Sequence, residues 1–213
     1  MTEREIPAFD YSGETKNRIM DAAIKLFAKK GFAAVTTRDI AKAAEINIAS
    51  IYYYYKSKDI LLDDIFSFFT KGYKQYFDWL SEMNKKANSL EEVMDNMFNK
   101  EFTEMLNPMA CLGMSLAVKE QHNTVSARKC VFDLFYNYSI GCLKADFDRL
   151  TKKGIIPRSD TQTIATLFMF CVIVSNDIRV HEYMGTQAPL DCREIYAGLK
   201  KQIASALLRG SRV

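Results

Sequence analysis

The run from Thr36 to Lys58, TTRDIAKAAEINIASIYYYYKSK, constrains this chain more than any other stretch. It reads as two short helices around a tight turn. Thr36 is placed to cap the first helix with its hydroxyl, while Asp39 reaches back to the cap amide, the reciprocal pattern of a capping box. Ile40, Ala41 and Ala44 form that helix's apolar face. The apolar rhythm breaks at Glu45-Ile46-Asn47, and Asn47 is a residue type that caps a second helix. There Ile51 and Tyr55 turn inward together, which leaves Ser50, Tyr52, Tyr53 and Tyr54 on the outside. Helices this short bury too little apolar area to hold together alone, so a third must complete their core. The stretch Thr15 to Lys30 supplies it, with Ile19, Ala22, Ala23, Leu26 and Phe27 on one face. Gly31 then suits a left-handed helix stop, and Phe32 follows where it can fold back on Phe27.

Three tyrosines exposed in series cost solvation of apolar surface, so the face holding them is expected to meet a partner. Phenol hydroxyls flanked by Lys56 and Lys58 suit phosphates. Charge agrees. The whole chain carries +3, but Glu14 to Lys58 holds nine basic residues against four acidic ones, which leaves −2 for the rest. That asymmetry directs a polyanion to this segment alone. A helical adaptor that uses the tyrosines to bind another protein is the alternative reading.

The pattern T-x-R-x-I-A, a short turn, then Ala49-Ser50-Ile51-Tyr52-Tyr53-Tyr54-Tyr55-Lys56-Ser57-Lys58 resembles the DNA-binding domain of the tetracycline-repressor (TetR) family. The resemblance covers Thr15 to Leu62. Two positions depart from the family pattern. Glu45 replaces the usual turn glycine, which suggests a turn without positive φ, and Ile48 replaces a usual lysine or proline, offering an apolar surface to a thymine methyl. The resemblance implies DNA-binding roles for ten residues. Thr36, Thr37 and Arg38 would hold a phosphate at the start of the second helix. Asn47 and Ser50 would contact backbone or base edges, and Ala49 would let the helix approach the groove floor. Tyr52 and Tyr54 would bind phosphates, Tyr53 would reach bases, and Lys58 would anchor a phosphate. For Lys58→Ala this predicts uniformly weaker binding and a salt slope lower by about 0.9.

The 213 residues leave room for a larger body behind this head. Their 48% hydrophobic content suffices for a sizeable core, and only nine glycines and four prolines interrupt helical periodicity, so the fold class is all-α with about nine helices. The expected division is a flexible arm at 1–13, a helix-turn-helix domain at 14–58 and a ligand-binding and dimerisation domain at 59–213. Ser57 is placed to cap a long fourth helix, Lys58 to Lys86, that joins the two. Ser89-x-x-Glu92 opens a fifth helix to about Leu106. A sixth follows Asn107-Pro108, and a seventh runs from Thr124 to Lys153, stopping at Gly154 with Ile155 folded on Leu150. Ser159-x-x-Gln162 and Asp191-x-x-Glu194 open the eighth and ninth. The eighth is apolar on nearly every side from Ile164 to Ile178, which implies burial on both flanks. A homodimer through helices 160–184 and 191–208 would provide this, as in the TetR family.

Methionines and aromatics gather on helices four to eight. Phe69, Tyr73, Phe98, Phe102, Met105, Met114, Phe132, Tyr136 and Phe168 are candidates for a pocket that takes a small apolar or aromatic effector. Ordinary core is the competing reading for each. Five dispersed cysteines without C-x-x-C point to reduced, buried thiols in a cytoplasmic protein, with redox sensing as the alternative. The acidic N-terminus, MTEREIPAFDYSGE, does not suit an export signal, and the run Leu167 to Val174 is short for a membrane span. His122 and His181 lack the Glu-x-x-His spacing of di-iron bundles, and no G-x-S-x-G, P-loop or H-E-x-x-H occurs. No catalytic residue, metal or cofactor is expected. The sum is a ligand-responsive transcriptional regulator, a repressor released from a palindromic DNA operator by its effector.

Overall fold

The computed structural model describes residues 14–97, 108–186 and 192–209, within which the chain forms nine helices and no strand. The expected arm and the later turns of helix five, with Phe98, Phe102 and Met105, lie outside the described residues.

The first three helices, α1 (Glu14–Lys30), α2 (Thr37–Ala43) and α3 (Ile48–Tyr54), close around Ile19, Ala23, Ile24, Phe27, Val35, Ile40 and Ile51. All of these are at most 1% exposed, and burial of each larger one stabilises the head by about 1.5–3 kcal/mol. The end of α1 is as read from the sequence. Gly31 takes φ +81°, its amide donates to the Phe27 carbonyl at 2.9 Å, and the rings of Phe27 and Phe32 meet edge to face at 5.2 Å. The turn after α2 corrects the expectation for Glu45. It adopts φ +52°, the left-handed conformation that favours glycine. Its amide donates to Lys42 and that of Ile46 to Ala41, so α2 stops in a Schellman motif that demands this conformation whatever the residue. Arg18 braces it, donating to the Glu45 carbonyl at 3.1 Å and lying 3.7 Å from its carboxylate.

Ser57 caps α4 (Lys58–Lys86), accepting from the Ile60 amide at 3.2 Å. Leu61, Ile65, Phe69, Tyr73, Tyr76 and Leu80 form the buried flank of α4, and α5 (Leu90–Met97) and α6 (Pro108–Glu120) pack beside it. The next helix, α7, is α-helical over Val125–Lys129, π-helical over Cys130–Ser139 and α-helical again over Ile140–Lys152. Its stop at Gly154 has the expected Schellman bond, from the Ile155 amide to the Leu150 carbonyl.

Asp160, not Ser159, caps α8 (Thr161–Tyr183), accepting from the Thr163 amide at 3.0 Å. By composition Thr161–His181 could cross a bilayer, with a mean hydropathy of 1.6. Its inner face instead packs on α6, α7 and α9 (Cys192–Arg209) and buries Ser115 of α6 together with its own Ser175 and Asn176. Within one chain the helix is not buried all round. Leu167, Phe170 and Val174 are 56%, 48% and 61% exposed and form one outward stripe.

Candidate nucleic-acid interface and regulatory cavity

Local chemistry sets the outer face of the head. The Asn47 side chain accepts from the Ala49 amide at 2.9 Å and starts α3, which leaves Ala49 exposed and Ser50 half-buried. Tyr52, Tyr53 and Tyr54 are 52%, 83% and 43% exposed. The Tyr52 hydroxyl lies 3.2 Å from the Thr37 hydroxyl, so the ends of α2 and α3 share one polar surface, with Arg38 exposed beside it. Tyr53 and Tyr54 stack edge to face at 5.0 Å. Tyr55 faces inward as expected. Its hydroxyl donates to Asp64 of α4 at 2.9 Å, and burial followed by that carboxylate pushes its pKa far above the ordinary phenol range.

Two residues, Ile48 and Lys58, differ from their expected settings, while Thr36 forms the expected capping box. Thr36 is committed to its own cap: its amide and hydroxyl donate to the Asp39 carboxylate at 2.8 and 2.6 Å, and these bonds hold the Asp39 pKa below the usual range. Ile48 is half-buried against the core. The Lys58 ammonium points into the protein. It donates to the carbonyls of Phe32 at 2.7 Å and Val35 at 2.8 Å, reaches Ala33 at 3.5 Å, and stands 4.2 Å from the Phe32 ring centroid. It therefore clamps the α1–α2 loop onto α4, and a phosphate would have to displace one of these carbonyls. The same loop is held from the body by Glu120, the last residue of α6, whose carboxylate accepts from the Phe32 amide at 3.1 Å and from Asn123 at 3.1 Å. A lone glutamate at a helix end gave no sequence signal for this latch.

The body holds an apolar cavity lined by Tyr73, Tyr76, Phe77 and Leu80 of α4, Met97 of α5, Met114 of α6, Phe135 of α7, and Phe168, Met169 and Val172 of α8. Tyr73, Met114 and Phe168 are among the sequence candidates, and Met97 and Phe135 belong to the same gathering of methionines and aromatics; Tyr76, Phe77, Leu80, Met169 and Val172 had no such signal. Phe69 packs against Gly113 of α6. Phe132 and Tyr136 do not line this cavity: Phe132 is exposed and Tyr136 half-buried against the core's edge, their ring centroids 5.3 Å apart, with Tyr136 6.2 Å from Phe170 of the exposed stripe. The free space is about 10 Å³, room for about one water and far below a ligand pocket of roughly 300 Å³ or more. Cys111 and Cys130 are buried, Cys142 and Cys171 half-buried, and all four are thiols. Burial raises the pKa of Cys130 to about 11 and pushes Cys142 and Cys171 up as well, which disfavours the reactive thiolate.

Residues 19–65 match the family of bacterial regulatory proteins known as tetR, a span that takes in α2, the turn, α3 and the start of α4. The head of this chain is thus similar to the DNA-binding domain of the tetR family. Among curated relatives of helix-turn-helix type, the chain is 44% identical over 61 residues to the transcriptional repressor KstR2 of Rhodococcus jostii (strain RHA1), covering 28% of this chain and 30% of that one. It is 34% identical over 88 residues to IcaR of Staphylococcus aureus (strain Newman), the negative transcriptional regulator of the biofilm operon icaADBC, covering 39% and 44%. The matched stretches thus span less than half of these relatives. At the level of fold, the ketosteroid transcriptional regulator KstR2 of Mycobacterium tuberculosis superposes with a TM-score of 0.71 at 15% identity, over 96% of this chain and 99% of that one. The fold of that regulator is therefore shared along most of the chain, while sequence similarity is concentrated in the head.

Proposed function

We propose that this chain is a TetR-family regulator, a ligand-responsive transcriptional repressor that binds a palindromic operator as a homodimer in the cytoplasm. The observation that carries the reading is the joint polar surface on the three-helix head, with Arg38, Asn47, Ala49 and Tyr52–Tyr54 exposed and Thr37 and Ser50 half-buried between them. On this reading Thr37, Arg38, Tyr52 and Tyr54 bind phosphates, Asn47, Ser50 and Tyr53 read the groove, Ala49 permits close approach, and Thr36 and Lys58 shape the head. The names of the R. jostii KstR2 and of IcaR, a repressor and a negative regulator, support the sign of control. The division of labour is a head at 14–58 and a body at 59–213, with the outward stripe of α8 and the end of α9 as the dimer face. Leu208 of α9 is 58% exposed there.

The cavity supports a small apolar or aromatic effector, since its walls are aliphatic, thioether and ring carbons. Its small volume means that a ligand must part α4 from α6 and α8 to enter. A molecule that favours the parted arrangement biases the spacing of the two recognition helices, which DNA requires near 34–36 Å. Mobility-shift titration of the DNA flanking the protein's own gene tests the reading. A discrete complex competed by that DNA and not by a scrambled duplex is expected, and equal competition by both would favour the adaptor reading.

A further inference from the structure

Gly113 stands out among the glycines of the body. A Cβ built there would lie 2.0 Å from Cε2 and 2.2 Å from Cζ of Phe69, whereas at Gly141 and Gly198 it would meet nothing within 4 Å. Ordinary carbon contacts fall at about 3.5–4.0 Å. The glycine therefore lets the Phe69 ring of α4 press on the backbone of α6, and Phe69 is itself buried at 2% exposure. The neighbours of this contact carry the consequence. Tyr73 is one turn along the same flank of α4, Met114 follows Gly113 directly, and both line the cavity. The far end of α6 carries Glu120, which holds the Phe32 amide of the head. One ring-to-backbone contact thus lies between the cavity and both routes to the head.

We propose that the Gly113–Phe69 contact is the positioning contact that sets α4 in its DNA-competent tilt, and that adding side-chain volume at 113 reproduces, without ligand, the displacement a molecule beside Met114 and Tyr73 would impose. The proposal rests on the repressor reading above. A methyl group at 113 overlaps the ring by more than a side-chain adjustment absorbs in a closed core, so α4 must move away from α6. Gly113 and Phe69 touch no DNA; they act through the position of α4.

The test uses the full chain and a duplex that the wild-type protein selects from a random pool, with a scrambled duplex of equal length as reference. Failure of the wild type to select any duplex would sink the repressor reading itself. Given selection, Gly113→Ala is expected to lower the ratio of selected to scrambled affinity about tenfold, within the 5- to 150-fold range of allosteric couplings. Phe69→Leu, which removes Cε2 and Cζ and replaces the planar ring's Cδ2, 2.5 Å from the added Cβ, by a methyl that rotates away, is expected to restore most of that ratio in the Gly113→Ala background. A folded Gly113→Ala protein with the wild-type ratio, or a loss that Phe69→Leu does not relieve, would overturn the proposal. If Gly113→Ala does not fold, Phe69→Leu alone decides. Loosening the contact is expected to cut the ratio more than about threefold, and an unchanged ratio overturns the proposal.

Discussion

At the scale of single residues, the clearest revision concerns Lys58. Its ammonium lies against the carbonyls of Phe32 and Val35, so Lys58→Ala is expected to lower stability by about 1–3 kcal/mol, the range for buried acceptors left without a donor. Denaturant melts measure that, and the salt slope of DNA binding should stay at the wild-type value; a slope lower by about 0.9 would return the residue to the phosphate contacts. Glu45 carries backbone strain at φ +52°. Glu45→Gly is expected to stabilise the protein by about 0.5–1 kcal/mol despite losing the exposed Arg18 pair, whereas Glu45→Ala should give no gain. Tyr53 is the most exposed of the three outer tyrosines. Tyr53→Ala should weaken operator binding by about 1–3 kcal/mol and relax discrimination at particular base pairs, measured on a library of single-position operator variants. The clamp role of Lys58 was hidden in the sequence because its partners are backbone carbonyls of a loop 23 to 26 residues away. The caps at Thr36, Asn47 and Ser57 were legible because each bonds an amide two or three positions on.

At the scale of helices, the π-helical stretch of α7 explains which pocket residues were misplaced. A 3.6-residue repeat groups Phe132 and Tyr136 with the inward residues, but the wider i→i+5 winding changes side-chain phase and leaves only Phe135 of the three facing the cavity. Nothing in CVFDLFYNYS separates that winding from an ordinary apolar helix, although Ser139 then donates to the carbonyl of Leu134 at 2.9 Å. Farther along α7, Asp146 is buried against the end of α4, where Asn84 donates to it at 2.6 Å and Arg149 donates to the Asn84 carbonyl. Burial outweighs the nearby Asn84, Arg149 and Lys85 and raises its pKa from 3.8 to about 6. A carboxyl whose folded pKa is raised favours the fold in its protonated form, so its contribution is complete below the unfolded value and is lost as pH rises through about 6. Asp146→Asn, which keeps the shape, should therefore be more stable than the wild type above pH 7 by up to about 3 kcal/mol, with the gap closing toward pH 4. Thermal melts across pH measure this, and parallel stability curves for the two proteins would contradict it.

At the scale of the whole molecule, the repeating theme is a rigid head held at several points by a body whose cavity is closed. The all-helical class and the order of elements were readable because helix stops are local and chemically specific, as at Gly31 and Gly154. The cavity was not readable residue by residue, because apolar side chains that line a space and those that fill a core obey the same periodicity. The outward stripe of α8 belongs to the same scale: an apolar surface left open by one chain makes sense once a second chain covers it. The central claim is that two such chains present their α3 helices to one duplex. Its most direct measurement is a fluorescence-anisotropy titration of a selected palindromic duplex, read for stoichiometry and repeated on a scrambled duplex at the same salt. Two chains per duplex are expected, with an affinity about 10³-fold or more above that for the scrambled sequence. A single chain per duplex, or equal affinity for both sequences, would contradict it.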